Sequence, residues 1–123
     1  MFTNTKAFSG FSVDDIERAK DFYGGVLGLD VTEENGMLDL QIHDGGHIIV
    51  YPKEDHVPAT FTILNFPVDD IDKAADELAD RGVSLVRYEG MSQDEKGIMR
   101  EDFGPPIAWF HDPAGNVLSI LEQ

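Results

Sequence analysis

Two hydrophobic rhythms alternate along the chain, and each change of rhythm marks an element. "AFSGFSV", residues 7–13, alternates apolar with small or polar residues and predicts a strand. From Ile16 the period changes: Ile16, Ala19, Phe22, Tyr23, Val26 and Leu27 recur at helical spacing and form one apolar stripe. Asp14, with Glu17 three residues on, stands at the change. The pair reads as a capping box in which the Asp14 carboxylate accepts from the N–H of Glu17. Gly28 closes the helix, where a left-handed backbone is cheap for glycine alone.

The same rhythm then returns. "FSVDDIERAKDFY", Phe11–Tyr23, is echoed by "FPVDDIDKAADEL", Phe66–Leu78, at a constant offset of 55 (68 − 13). Ile71, Ala74, Ala75, Leu78 and Ala79 form the second stripe, Asp69 and Asp72 the second capping box, and Gly82 the second stop. "MLDLQI" and "HIIVY" around "HDGG" predict a hairpin over Met37–Tyr51. In the second half "VSLVRY", "GIMRED", "IAWFH" and "VLSILE" read as strands, with "GPP" and "DPAGN" as turns between the last three. "PKEDHVPA", Pro52–Ala59, carries two prolines and a charge cluster and reads as a link. The polar "EGMSQDEK", Glu89–Lys96, reads as a mobile loop.

The fold that follows is α+β: two tandem βαβββ modules, roughly 1–55 and 56–123, in a single domain. Each module covers one sheet face with its own helix and leaves the other bare, so two modules side by side predict a concave sheet trough for a ligand. Alternation assigns the faces. Phe11 and Val13 go to the helix, leaving Phe8, Gly10 and Ser12 for the trough. In the second module Leu64 and Phe66 go to the helix, leaving Phe61, Ile63 and Asn65.

Composition narrows the partners. The net charge is −15, from nine Lys and Arg against 24 acids, which cannot easily supply the basic surface a nucleic acid needs. An acidic field does favour a cationic ligand. With no cysteine there is no disulfide, thiolate metal site or Cys nucleophile. No apolar run is long enough for a membrane helix, and "MFTNTKAFSG" lacks the pattern of a signal peptide. The expectation is a cytoplasmic protein with no nucleic-acid or membrane partner.

The repeat "FSVDDIERAKDFYGGVLGLDV", its echo "FPVDDIDKAADELADRGV" and the closing "IAWFHDPAGNVLSILEQ" together resemble the vicinal oxygen chelate superfamily. That superfamily includes glyoxalase I, extradiol dioxygenases, fosfomycin resistance enzymes and bleomycin-binding proteins. The resemblance covers essentially the whole chain and implies the paired-module, glyoxalase-like fold, but it does not choose among the chemistries that fold hosts. It also implies four metal-ligand positions, two per module, usually His, Glu or Gln. Here they fall on Phe8, Ile49, Ile63 and Ser119. Three of these offer no donor, and a serine hydroxyl is a poor ligand beside imidazole or carboxylate. The expectation is therefore no metal and no cofactor. Metal-free members of the superfamily include drug-binding proteins that sequester antibiotics such as bleomycin at a dimer interface, which also implies a homodimer.

Individual side chains complete the expected site. His47 shares strand parity with Ile49 and Tyr51, so the three belong to one face. His43, His56 and His111 read as turn or linker residues. Trp109, the sole tryptophan, is either core or a stacking platform, which alternation alone leaves open. Met91 and Met99 suit a pliable wall, and of Arg100 and Glu101 one faces inward. The expected ligand-binding set is Phe8, His47, Ile49, Tyr51, Phe61, Ile63, Met99, Glu101, Trp109 and Ser119. The functional expectation is metal-free binding of a small, largely apolar or cationic molecule. The alternatives are a lyase or isomerase with unusual or absent metal ligands, using His47, Tyr51 or Glu101 as acid or base, and a regulatory module without a ligand.

Overall fold

A computed structural model describes residues 1–100 and 104–123. The chain divides into two compact units, Met1–Pro58 and Ala59–Gln123. The division falls within the Pro52–Ala59 segment.

In the first unit β1 (Ser9–Val13) leads into α1 (Ile16–Lys20), which continues directly as a π-helical turn, Asp21–Val26. Then come β2 (Asp30–Glu34), β3 (Met37–Gln41), a 3-10 turn at His43–Gly45, and β4 (His47–Pro52). The sheet order is β1-β4-β3-β2, with β1 and β4 parallel and the other pairs antiparallel. The hairpin over Met37–Tyr51 thus stands as β3 and β4. Asn35 and Gly36, both at positive φ, turn β2 into β3 in two residues, as the right-handed twist of paired strands favours. Val13, Tyr23, Leu38, Leu40 and Val50 are fully buried and form this unit's core. Phe11 reaches the same core, its ring centroid 5.7 Å from that of Tyr23.

The helix start differs from the expected box by one residue. Asp15, not Asp14, takes the extended cap conformation and accepts from the N–H of Arg18 at 3.1 Å. In the second unit Asp70, not Asp69, does the same for Lys73 at 3.1 Å. Both residues of an Asp-Asp pair carry a suitable carboxylate. Backbone geometry selects the second because its own carbonyl already accepts the first helical bond, from Ala19 or Ala74. The widening at Asp21–Val26 also has a cause in packing. Its wider turn accompanies the burial of both Phe22 and Tyr23, with their rings edge to face at 5.2 Å.

The second unit contains β5 (Thr62–Val68), α2 (Ile71–Asp80), β6 (Ile107–His111) and β7 (Val117–Glu122) in the order β5-β7-β6, with β5 and β7 parallel. Ile71, Ala75 and Leu78 of α2 are buried with Leu118, Ile120, Ala108 and Phe110 of the sheet. Phe66 stacks on Phe110 at 6.5 Å. Turn residues "DPAGN" are tied by Asp112, whose Oδ1 accepts from the N–H groups of Ala114 and Asn116.

Two expected strands are reduced here. "VSLVRY" forms no strand. Its backbone touches the sheet through one bond, Val86 N–H to Trp109 C=O at 2.7 Å. "GIMRED" contributes a bridge at Met99 with Ile107 and with Gln93, and its last two residues lie outside those described. A side chain takes over the ladder's role. Gln93 Oε1 accepts from Tyr88 N–H at 2.7 Å, while its Nε2 donates to the carbonyls of Val86 at 2.9 Å and Gly97 at 2.8 Å. Polar backbone groups need partners, and one amide supplies three. The Glu89–Lys96 segment, expected to be loose, is pinned by these bonds.

Candidate functional sites on the two open sheet faces

Pairing gives each sheet a helix face and an open face. In the first unit the rows Phe11–Val50–Leu38 and Ser9–Ile48–Leu40 lie on the helix side. The rows between them, Gly10–Ile49–Asp39 and Ser12–Tyr51, lie on the open side, and so does His47 by strand parity with Ile49. His47 Nδ1 stands 3.1 and 3.2 Å from the two carboxylate oxygens of Asp39. Phe8 packs on that imidazole, with centroids 4.6 Å apart. Ser12 Oγ is 2.6 Å from His56 Nδ1. Phe8 is 59% exposed and Tyr51 40%, large fractions for apolar and aromatic side chains of a small unit.

Expected residues Phe8, His47, Ile49 and Tyr51 therefore meet on one face. Asp39 was not singled out by the sequence reading. The signal was present, since Asp39 is the polar position of "MLDLQI" and lies diagonal to His47 once the hairpin register is set. His56, read as a linker residue, also reaches this unit's open side through Ser12.

In the second unit the corresponding row is Asn65–Ser119–Trp109. The indole N–H of Trp109 donates to Thr62 Oγ1 at 3.1 Å. β6 and β5 are separated by β7, so the indole must lie across the central strand to reach Thr62. Beneath it Ser119 is 0% exposed and Val117 nearly so. Ser119 Oγ donates to Asn65 Oδ1 at 2.5 Å. Tyr88 meets Trp109 edge to face at 5.4 Å. Trp109 is thus on the open face and half-buried, which resolves the choice between core and surface.

One expected residue falls at an irregularity in its strand. The register of β5 shifts between Thr62 and Leu64, so Thr62 rather than Ile63 stands opposite Val117. A bulge adds a residue to one strand, and simple alternation cannot be carried through it. Met99, bridged to Ile107, shares the face of Trp109 by register. Phe61 is strongly exposed just before β5. Glu101 lies outside the described residues.

The metal implied by the resemblance does not fit these positions. Phe8, Ile49 and Ile63 carry no donor atom, while the Ser119 hydroxyl is buried under the indole and committed to Asn65. Among the described residues no three His, Asp or Glu side chains are gathered as a metal would require. The shifted titrations lie elsewhere, chiefly around α2. The Arg100 guanidinium, donating to Asp72, holds that carboxyl below its ordinary range. Asp94 is pushed up by burial, but the N–H of Ile98, Arg100 and the N–H of Lys96 outweigh this and lower it. The Asp76 carboxylate raises Lys96. These groups tie Gln93's segment to α2.

Among the described residues no helix is long and apolar enough to cross a membrane. The sequence profile of the Glyoxalase/Bleomycin resistance protein/Dioxygenase superfamily matches residues 8–120. A glyoxalase family protein from Enterococcus faecalis has a similar structure, with TM-score 0.71 and 21% identity over 99% of this chain and 100% of that one. TnmS3, an antibiotic binding protein from Streptomyces sp. CB03234, is similar at TM-score 0.69 and 22% identity, over 98% of each chain. An uncharacterized protein of Bacillus subtilis (strain 168), YraH, is 24% identical over 90% of this chain and 92% of its own. With two modules of matching topology, the closing Asp-Pro-Ala-Gly-Asn turn and a profile match across nearly all its length, the chain belongs to the Glyoxalase/Bleomycin resistance protein/Dioxygenase superfamily.

Proposed function

We propose that this chain is a metal-free binding member of its superfamily, holding a small, largely apolar or cationic molecule against its open sheet faces and sequestering it. The observation that carries this reading is the content of the four ligand positions: Phe8, Ile49, Ile63 and a Ser119 covered by Trp109. Exposed Phe8 and Tyr51 support it, being apolar surface a ligand would cover. The net charge of −15 supports the cationic option, because it enriches cations at the surface. Similarity in fold to an antibiotic binding protein agrees with it.

A metal-independent lyase or isomerase is the second reading, favoured by one observation. Asp39 holds His47 through Nδ1, an arrangement that orients an imidazole for proton transfer. Thermal melts with and without Zn²⁺, Ni²⁺, Mn²⁺ and Fe²⁺ test the first reading. Linkage stabilises only where a site exists, so the expected midpoint shift is below about 1 °C. A reproducible rise of several degrees with one ion would overturn it. His47→Gln separates the two readings: if a turnover is found, its loss in this variant with ligand binding retained identifies the enzyme.

A further inference from the structure

Hydrogen-bond accounting on the second unit's open face points to the chemistry of what it recognises, and this rests on the binding reading above. Asn65 has one carbonyl oxygen and one amino group at its tip. The oxygen accepts from Ser119 Oγ, a hydroxyl that is fully buried and held in place by the sheet. With the amide placed this way, the exposed end of Asn65 is its NH₂, a donor. At Thr62 the oxygen accepts the indole N–H, which leaves the hydroxyl proton as a second donor. The indole that makes this bond spans the strand between them, and Tyr88 stands perpendicular to it at 5.4 Å.

We infer that the second unit's open face binds a flat aromatic molecule that carries a carbonyl-type hydrogen-bond acceptor and no negative charge. The ring lies against Trp109, and the acceptor receives the Asn65 amide, with Thr62 as the second donor. The net charge bears on the ligand's own charge. An anionic acceptor would be repelled by a chain of net charge −15. The first unit's open face differs in kind, because it carries the Asp39 carboxylate and His47.

Two probes of almost the same shape test this: 9-fluorenone, a planar aromatic ketone, and fluorene, the same skeleton without the carbonyl. Binding of each to the full chain is measured by equilibrium dialysis. The expected result is about fivefold tighter binding of fluorenone, the scale of one neutral hydrogen bond. Asn65→Asp replaces the outward donor with an acceptor and is expected to erase that preference while fluorene binding stays unchanged. Ser119→Ala frees the amide to turn and is expected to reduce the preference without erasing it. Equal affinity of the two probes for the unmodified protein overturns the inference and leaves the apolar binding reading standing. A preference that survives in Asn65→Asp, whose folding is checked by its melt, also overturns it. Failure of both probes to bind overturns the inference and the aromatic form of the binding reading with it.

Discussion

The two open sheet faces are built from the same repeat and carry opposite chemistry. At corresponding positions across each sheet stand Gly10, Ile49 and Asp39 in the first unit, and Asn65, Ser119 and Trp109 in the second. In the first the middle of the row is apolar and one flank is ionisable. In the second the middle is a buried hydroxyl and the flanks are an amide and an indole. The topology decides which positions face outward, and residue choice alone decides what they do there. The difference extends to the sheets themselves. The first closes its fourth strand by backbone pairing, whereas the second replaces much of that pairing with the side chain of Gln93.

The largest expected effect breaks this contrast at its centre. Ser119→Glu forces a longer, charged group beneath the indole, at a position that is 0% exposed. It should cost more than about 4 kcal/mol, or prevent folding. Ile49→Glu, at the matching position of the first unit, is half-exposed and should cost about 1.5 kcal/mol, partly through the like charge of Asp39 in the next strand. Urea denaturation of both variants measures the difference. Equal costs would mean that Trp109 does not cover Ser119 in solution.

A middling effect tests where the two units agree. Asp15→Ala and Asp70→Ala should each lower stability by about 1 kcal/mol through loss of the helix cap. Asp14→Ala and Asp69→Ala should change it by no more than about 0.5 kcal/mol. The reverse pattern in thermal melts would restore the capping box read from the sequence.

The smallest effect concerns acid. Asp72 and Asp94 have folded-state pKa values below their ordinary range, so they release protons on folding. Their contribution is present above the ordinary carboxylate range and is lost as pH falls through the lowered values. Arg100→Ala should therefore destabilise slightly near neutrality, with a difference from the parent protein that shrinks as the pH is lowered and as salt is added. Urea midpoints across the acid range check this, and a difference that grows toward low pH would contradict it.

What could be read beforehand follows from how local each cause is. The helices, the hairpin and the doubling are written in short-range periodicity, and the grouping of His47, Ile49 and Tyr51 needed only alternation along one strand. The cap position turned on backbone dihedrals within an Asp-Asp pair, which composition cannot distinguish. The Asn-Gly at positions 35 and 36 was a strong turn signal that went unused. The Thr62 bulge and the reach of Trp109 across β7 depend on register between distant segments, so neither the place of Thr62 opposite Val117 nor the covering of Ser119 was visible. "VSLVRY" has the alternation of a strand, but Gln93, five residues beyond Tyr88, satisfies its backbone instead.

The placement of Trp109 also gives the second unit an optical address. The chain's single tryptophan stands in the second unit beside Tyr88, at a separation where excitation absorbed by the phenol passes to the indole. Tyr23 and Tyr51 belong to the first unit. Indole emission therefore reports on the open face of the second unit. Its wavelength follows the bond to Thr62, and its intensity follows whatever comes to rest on the ring.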